Sequence, residues 1–226
     1  MLTNSEIRKQ ARAVLEGNWG KGVIATLIYK GVIATLIYFV ITSALSAGVS
    51  IPLGYNLWLS NGSSLLMTIL CLPLSWGFVV FFLHLARGLE KGYEALFDGY
   101  KCFIKVFLLM FLKALYIFLW LLLLIIPGIM KALAYDMAEF IMADNPDIDA
   151  QDAIHRSRVM MDGHKMKLFL MYLSFIGWGL LCLLTLGLGF LLLVPYIQTS
   201  LAVFYQDLKK NAEDNGIDDM TQAEMI

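Results

Sequence analysis

Apolar residues occur along this chain in long blocks. The blocks 22–49, 65–85, 103–126 and 168–204 are almost free of charge. Backbone groups in hydrocarbon can bond only to each other, so about 20 consecutive apolar residues predict a membrane-spanning helix. The last block is too long for one crossing. Thr185-Leu186-Gly187-Leu188-Gly189 divides it, because paired glycines weaken a helix and let the backbone reverse. Pro127-Gly128 ends the third block, and the segment behind it, 129–143, is apolar except for Lys131, Asp136 and Glu139. The pattern predicts an all-α, polytopic membrane protein of about six helices, at 31–49, 65–85, 103–126, 129–143, 168–184 and 190–204, within a membrane domain of 21–206.

Outside the blocks the period changes to that of amphipathic helices. In the leader, 1–20, Ile7, Ala11, Val14, Leu15 and Trp19 recur at helical spacing among charges, and Thr3 and Glu6 are spaced as a capping box. A cleavable signal peptide is the rival, with Ala44-Leu45-Ser46 as its processing site; the long charged leader and the apolar blocks behind it argue against that. Tyr93, Leu96, Phe97, Tyr100, Phe103 and Ile104 follow three-and-four spacing and predict a helix lying in the membrane interface. Asp149 is placed to cap a further helix that stops at Gly163, with Ala153, Ile154, Met160 and Met161 as its apolar stripe. Residues 207–226 read as an acidic, disordered cytoplasmic tail.

Charge distribution sets the orientation. Lys and Arg accumulate in short cytoplasmic loops. With six spans, Arg8, Lys9, Arg12 and Lys21, then Arg87, Lys91, Lys101 and Lys105, then Arg156, Arg158, Lys165 and Lys167, and finally Lys209 and Lys210 all fall on one side. The other side receives the uncharged 50–64 segment and two tight turns, with Lys131 near its surface. Without the marginal 129–143 span, the loop carrying Arg156 would face the cations of the leader and of the second loop across the membrane. The expectation is therefore a multi-pass protein with both ends in the cytoplasm.

The first block contains a perfect tandem repeat, since Lys21 to Tyr29 recurs unchanged as Lys30 to Tyr38. The block would be roughly 42 Å long as a helix against a core of about 30 Å, so one copy is surplus to spanning. Nine residues at about 100° each also put the two copies on opposite faces of a continuous helix. The expectation is that 31–49 crosses and that the first copy extends the helix toward the interface.

Composition agrees with this solvent: 59% of the 226 residues are hydrophobic and 15% charged, with a mean hydropathy of +0.72. The near balance of 17 basic and 18 acidic residues points to neither nucleic acid nor an acidic substrate. Cys71, Cys102 and Cys182 are odd in number and widely spaced, as free thiols would be. His84, His155 and His164 lack metal-ligand spacing, and no P-loop, HExxH, GxSxG or CxxC motif occurs, so neither a catalytic centre nor a cofactor or metal site is predicted. The aspartates at 144, 147, 149 and 152 fail as a calcium loop, lacking the turn glycine and carrying Arg158 where the bidentate Glu belongs, and read as capping and solvated residues.

Ionisable residues within spans are costly and become candidates by default. Lys113 lies fourteen residues before Pro127 and Glu139 twelve after it, so a hairpin would bring them to similar depth, with Asp136 nearby. A structural pair and an ion relay are both compatible with that placement. Arg156, Arg158, His164 and Lys165 are the candidates to face anionic lipid headgroups.

Asn145-Pro146, Ala153-Ile154, Ser157, Met160-Met161, Gly163, Lys165, Leu173-Ser174-Phe175-Ile176-Gly177-Trp178, Pro195-Tyr196 and Phe204-Tyr205, with Ala11, Arg12, Leu15, Asn18 and Trp19, resemble the bacterial integral membrane family known as domain of unknown function 975. The resemblance implies a multi-span protein of the bacterial plasma membrane and no established activity, ligand or catalytic residues. The function expected is that of a non-enzymatic envelope or interaction protein. Its partners would be the lipid bilayer, including anionic lipids, and other membrane proteins, not nucleic acid. A small ion-coupled transporter and a lipid-handling membrane enzyme are the alternatives.

Overall fold

The computed structural model describes residues 1–32, 34, 57–89, 92–185 and 187–214, with backbone alone for 57–71. Among them every regular element is helical: α1 (Asn4–Leu15), α2 (19–32), α3 (Leu57–Ala86), a 3₁₀ helix (Tyr93–Tyr100), α4 (Phe103–Leu123), α5 (Ile125–Ala134), α6 (Ala138–Asp144), α7 (Ala150–Met160), α8 (Lys165–Leu184) and α9 (Phe190–Asp214). Two of these, α4 and α8, are both long and apolar enough to cross a membrane.

The leader forms the expected capping box, with Glu6 N–H donating to Thr3 Oγ1 and Thr3 N–H to Glu6. Its buried stripe is Ile7, Ala11 and Leu15, and it packs against α9. Arg8 bonds Ser174 on α8, and the Leu2 N–H donates to Asp207 on α9 at 2.9 Å.

The expected 31–49 span falls almost wholly outside the described residues. Of the repeat, the first copy contributes one face to the core. Ala25 and Thr26 are fully buried, Gly22 leaves only 3.1 Å between an added Cβ and Pro195, and Tyr29 stacks on Phe78 at 4.3 Å. The equivalents Gly31 and Ala34 face open space, the half-turn offset that nine helical residues impose.

Helix α3 starts at Leu57, earlier than the expected 65–85, and continues through Pro73. Ser75 Oγ donates to the Leu72 carbonyl at 2.7 Å beside that interruption. The segment after α3, expected as an interfacial α-helix, is instead a 3₁₀ helix clamped to α3. Tyr93 stacks on Phe81, Leu96 lies against Gly77, and Gly99 against Pro73. The registers match: three 3₁₀ residues rise about 6 Å, as do four α residues. A 3₁₀ helix therefore keeps Tyr93, Leu96 and Gly99 on one face while descending α3 by one turn at each step. Phe97 and Tyr100, from the same sequence pattern, are left exposed.

The expected 103–126 span ends at Leu123. Leu124 is extended (φ −160°, ψ 140°), and Pro127 sits in the first turn of α5. A continuous helix would aim the proline ring at the Leu123 carbonyl, so the break precedes the proline. The expected 129–143 span is likewise interrupted, at Tyr135–Met137, between α5 and α6. Ten and seven residues give helices of about 15 and 10 Å, each shorter than a bilayer core of about 30 Å. Helix α7 has its N-cap at Asp149, though without a side-chain cap bond, and Gly163 adopts φ 75° after its end. The turn before α9 forms around Gly187 at φ 85°.

The tail expectation needs correction for 207–214, which continue α9 as helix. Leu208 and Ala212 extend the buried stripe of Phe204 and Tyr205, so this segment has packing partners that a solvated tail lacks.

A Cβ at Gly77 would stand 1.9 Å from the Leu96 carbonyl oxygen, and one at Gly99 2.2 Å from that of Pro73. Both neighbours are backbone and cannot swing away. Gly77→Ala and Gly99→Ala are each expected to destabilise the protein by about 1–3 kcal/mol or more. Gly92→Ala, at a position open to space, is the neutral control in thermal unfolding of the detergent-solubilised chain.

Candidate functional site

The break at Leu124 turns α5 back along α4, and the Tyr135–Met137 turn then presents Asp136 and Glu139 to Lys113, at the midpoint of α4. The Lys113 ammonium donates to Glu139 Oε1 at 2.8 Å and lies 3.8 Å from Asp136 Oδ1, with 16% of its side chain exposed. The Tyr172 hydroxyl, on α8, donates to Asp136 Oδ2 at 2.5 Å. The Trp76 indole N–H, on α3, donates to the Glu139 backbone carbonyl at 3.2 Å. Hairpin reasoning gives the Lys113 and Glu139 juxtaposition, whereas nothing in the sequence singles out Tyr172 or Trp76, since aromatic residues in apolar helices are ordinary.

A second cluster surrounds Asp144, which sequence reasoning treats as a capping or solvated residue. Its side chain is 6% exposed and meets Arg87 at 2.7 Å, Lys209 at 2.8 Å and the Tyr205 hydroxyl at 3.0 Å. Arg87 follows α3, Asp144 ends α6, and Tyr205 and Lys209 lie within α9, so one carboxylate ties two helix ends to a third helix. Burial by itself would raise this carboxyl, but the Lys209 hydrogen bond and the Arg87 charge outweigh it and hold the group below its ordinary range.

The four headgroup candidates are not gathered into one site. Arg156 and Arg158, two residues apart on α7, point to different sides. Lys165 pairs with Asp162 at 3.1 Å. His164 immediately precedes α8, where burial and then the Lys167 charge push its imidazole below the usual value. Arg158 instead shares a cavity of about 570 Å³ with His155, Trp120 and Lys131. The sequence reading puts Lys131 on the face opposite the α7 cations. The structure brings them together because α7 packs along α4, with Ser157 Oγ donating to the Ala134 carbonyl at 2.7 Å.

Among the described residues no group of three or more His, Cys, Asp or Glu side chains is arranged to hold a metal ion. A family model described as a protein of unknown function (DUF975) matches residues 1–131 and 120–212. The chain belongs to the DUF975 family. No curated protein and no solved structure matches it. Several residues that carried the resemblance are core positions of this DUF975 chain, among them Ala11, Leu15, Ala153, Ile154, Ser157, Met160 and Met161.

Replacing Lys113 by Leu leaves two partly buried carboxylates facing each other and should cost about 3–5 kcal/mol. Replacing Lys113, Asp136 and Glu139 together by Leu should restore much of that loss, as read by thermal unfolding in detergent. Asp144 titrates lower in the folded protein than the ordinary 3.8. Its contribution to stability is therefore complete above that value and disappears as the pH falls through the lower, folded one. Asp144→Asn should flatten the acid limb of the stability curve, and an unchanged limb would count against the cluster.

Proposed function

We propose that this DUF975 protein is a non-enzymatic, multi-pass protein of the bacterial plasma membrane that works through contacts with lipid and with other membrane components. The observation that carries this reading is its inverted surface. The consecutive side chains Leu122 to Ile126 are 63–75% exposed, and large apolar residues continue along the outer faces of α4 and α8, including Ile104, Phe118, Ile176 and Leu184. Water would penalise such a surface at roughly 25 cal/mol per Å², and apolar patches of this extent mark membrane or protein contact.

The topology proposed has α8 as a crossing helix, α4 with α5 as a hairpin entering the bilayer, and an even number of crossings in all. The bond between Leu2 and Asp207 supports the even number, since it puts the two ends of the described chain in one compartment; the cations around them favour the cytoplasmic one. Six complete crossings are not retained. The cavity shared by Lys131 and Arg158 fits an α4–α5 hairpin whose tip dips into the bilayer beside α7 better than it fits two opposed surfaces. The Lys113 cluster favours a structural role over transport, because its ammonium and both carboxylates find partners inside the cluster.

Membranes of an expressing bacterium washed with alkaline carbonate should retain the full chain. Its release into the supernatant as a detergent-free monomer would overturn this reading.

A further inference from the structure

We propose that the cavity between Trp120, Lys131, His155 and Arg158 binds a phosphate group, carried by the headgroup of an anionic phospholipid. The proposal rests on the membrane reading above for the source of the phosphate, while the site itself stands on the cavity.

The cations come from two elements. Lys131 projects from α5, and His155 and Arg158 lie three residues apart on α7, so they share a face. Among the described residues none of the three is held in an ion pair, whereas Lys105, Lys113, Lys165, Lys167 and Lys209 all are. Asp152 is the carboxylate on the cavity wall. Lys131 and Arg158 against Asp152 leave one net positive charge, which a phosphodiester would neutralise. Arg offers a phosphate its planar fork of donors, while Lys offers a point charge.

The volume of about 570 Å³ is that of a small-ligand site. Its position indicates what the ligand is attached to. Trp120 and Lys131 stand one and two turns from the α4–α5 bend, which lies in the most exposed apolar segment of the described chain. A headgroup held there would lay its acyl chains along Leu121 to Met130. Zwitterionic headgroups are disfavoured because they bring their own cation into a cavity of net positive charge. The Trp120 face, which could attract a quaternary ammonium, is already covered by Lys131 with its Nζ 4.8 Å from the ring centroid.

The test uses the full chain purified in neutral detergent and native mass spectrometry with phosphatidylglycerol, phosphatidylcholine or inorganic phosphate added. Phosphatidylglycerol adducts should outlast phosphatidylcholine adducts. Lys131→Ala with Arg158→Ala should reduce them by about tenfold or more, as expected for losing charge-assisted hydrogen bonds. Lys131→Arg should keep them, and Arg156→Ala with Lys165→Ala should leave them unchanged. Thermal unfolding confirms that each variant is folded. Retention of inorganic phosphate but not phosphatidylglycerol, with the same dependence on Lys131 and Arg158, would keep the site and assign it a soluble phosphate. Equal retention of both lipids, or adducts indifferent to the double variant, would overturn the proposal. The carbonate wash fails independently of these adducts, so failure of the membrane reading is separable from failure of the site.

Discussion

The Lys113 ammonium, held between Glu139 at 2.8 Å and Asp136 at 3.8 Å, fixes how the apolar helices meet the rest of the bundle. A helix as apolar as α4 has no strong preference among apolar neighbours once water is removed, because hydrocarbon and leucine are nearly equivalent surroundings. Polar contacts provide the missing specificity. Lys113 sets the position of α4 against the α5–α6 turn, Tyr172 brings α8 to the same point through Asp136, and Trp76 adds α3 through the Glu139 carbonyl. The interruption at Tyr135–Met137, which shortens both helices there, is what aims the two carboxylates inward.

Close backbone contact serves the same end where no charge is available. The 3₁₀ helix approaches α3 through Gly77 and Gly99, and its three-residue period keeps step with the four-residue period of α3. At the polar end, Asp144 gathers Arg87, Tyr205 and Lys209, so the ends of α3 and α6 are tied to the side of α9. Between these fixed points the outward surface is left to leucine, isoleucine and phenylalanine. In the proposed function that surface meets lipid, and the cations of α5 and α7 meet its headgroups.

Candidate residues were legible in the sequence to different degrees. Lys113, Asp136 and Glu139 stood out because charge in an apolar block is rare, and hairpin geometry about Pro127 was sufficient to bring two of them to one depth. Arg158 could be picked out as a cation but not given its companions. Lys131 joins it because α7 packs along α4, a long-range contact that loop charge counting assigns to opposite faces. Asp144 read as a capping residue because Arg87 and Lys209 lie 57 and 65 positions away, beyond any local pattern.

The sequence by itself determined that the chain is helical and apolar-surfaced, where α1 is capped, and that the backbone turns at Gly163 and Gly187. These follow from local physics: long uninterrupted apolar runs favour internally bonded backbone, a capping box acts within four residues, and positive φ favours glycine. Tertiary structure alone decided that 93–100 would wind as a 3₁₀ helix, that Ala25 and Thr26 of the first repeat copy would be core, and that α9 would continue to Asp214. In each case the periodicity allowed more than one face or length. The choice came from a partner distant in sequence, α3 for the 3₁₀ helix, Pro195 and Phe78 for the repeat, and α1 with Lys167 for the end of α9.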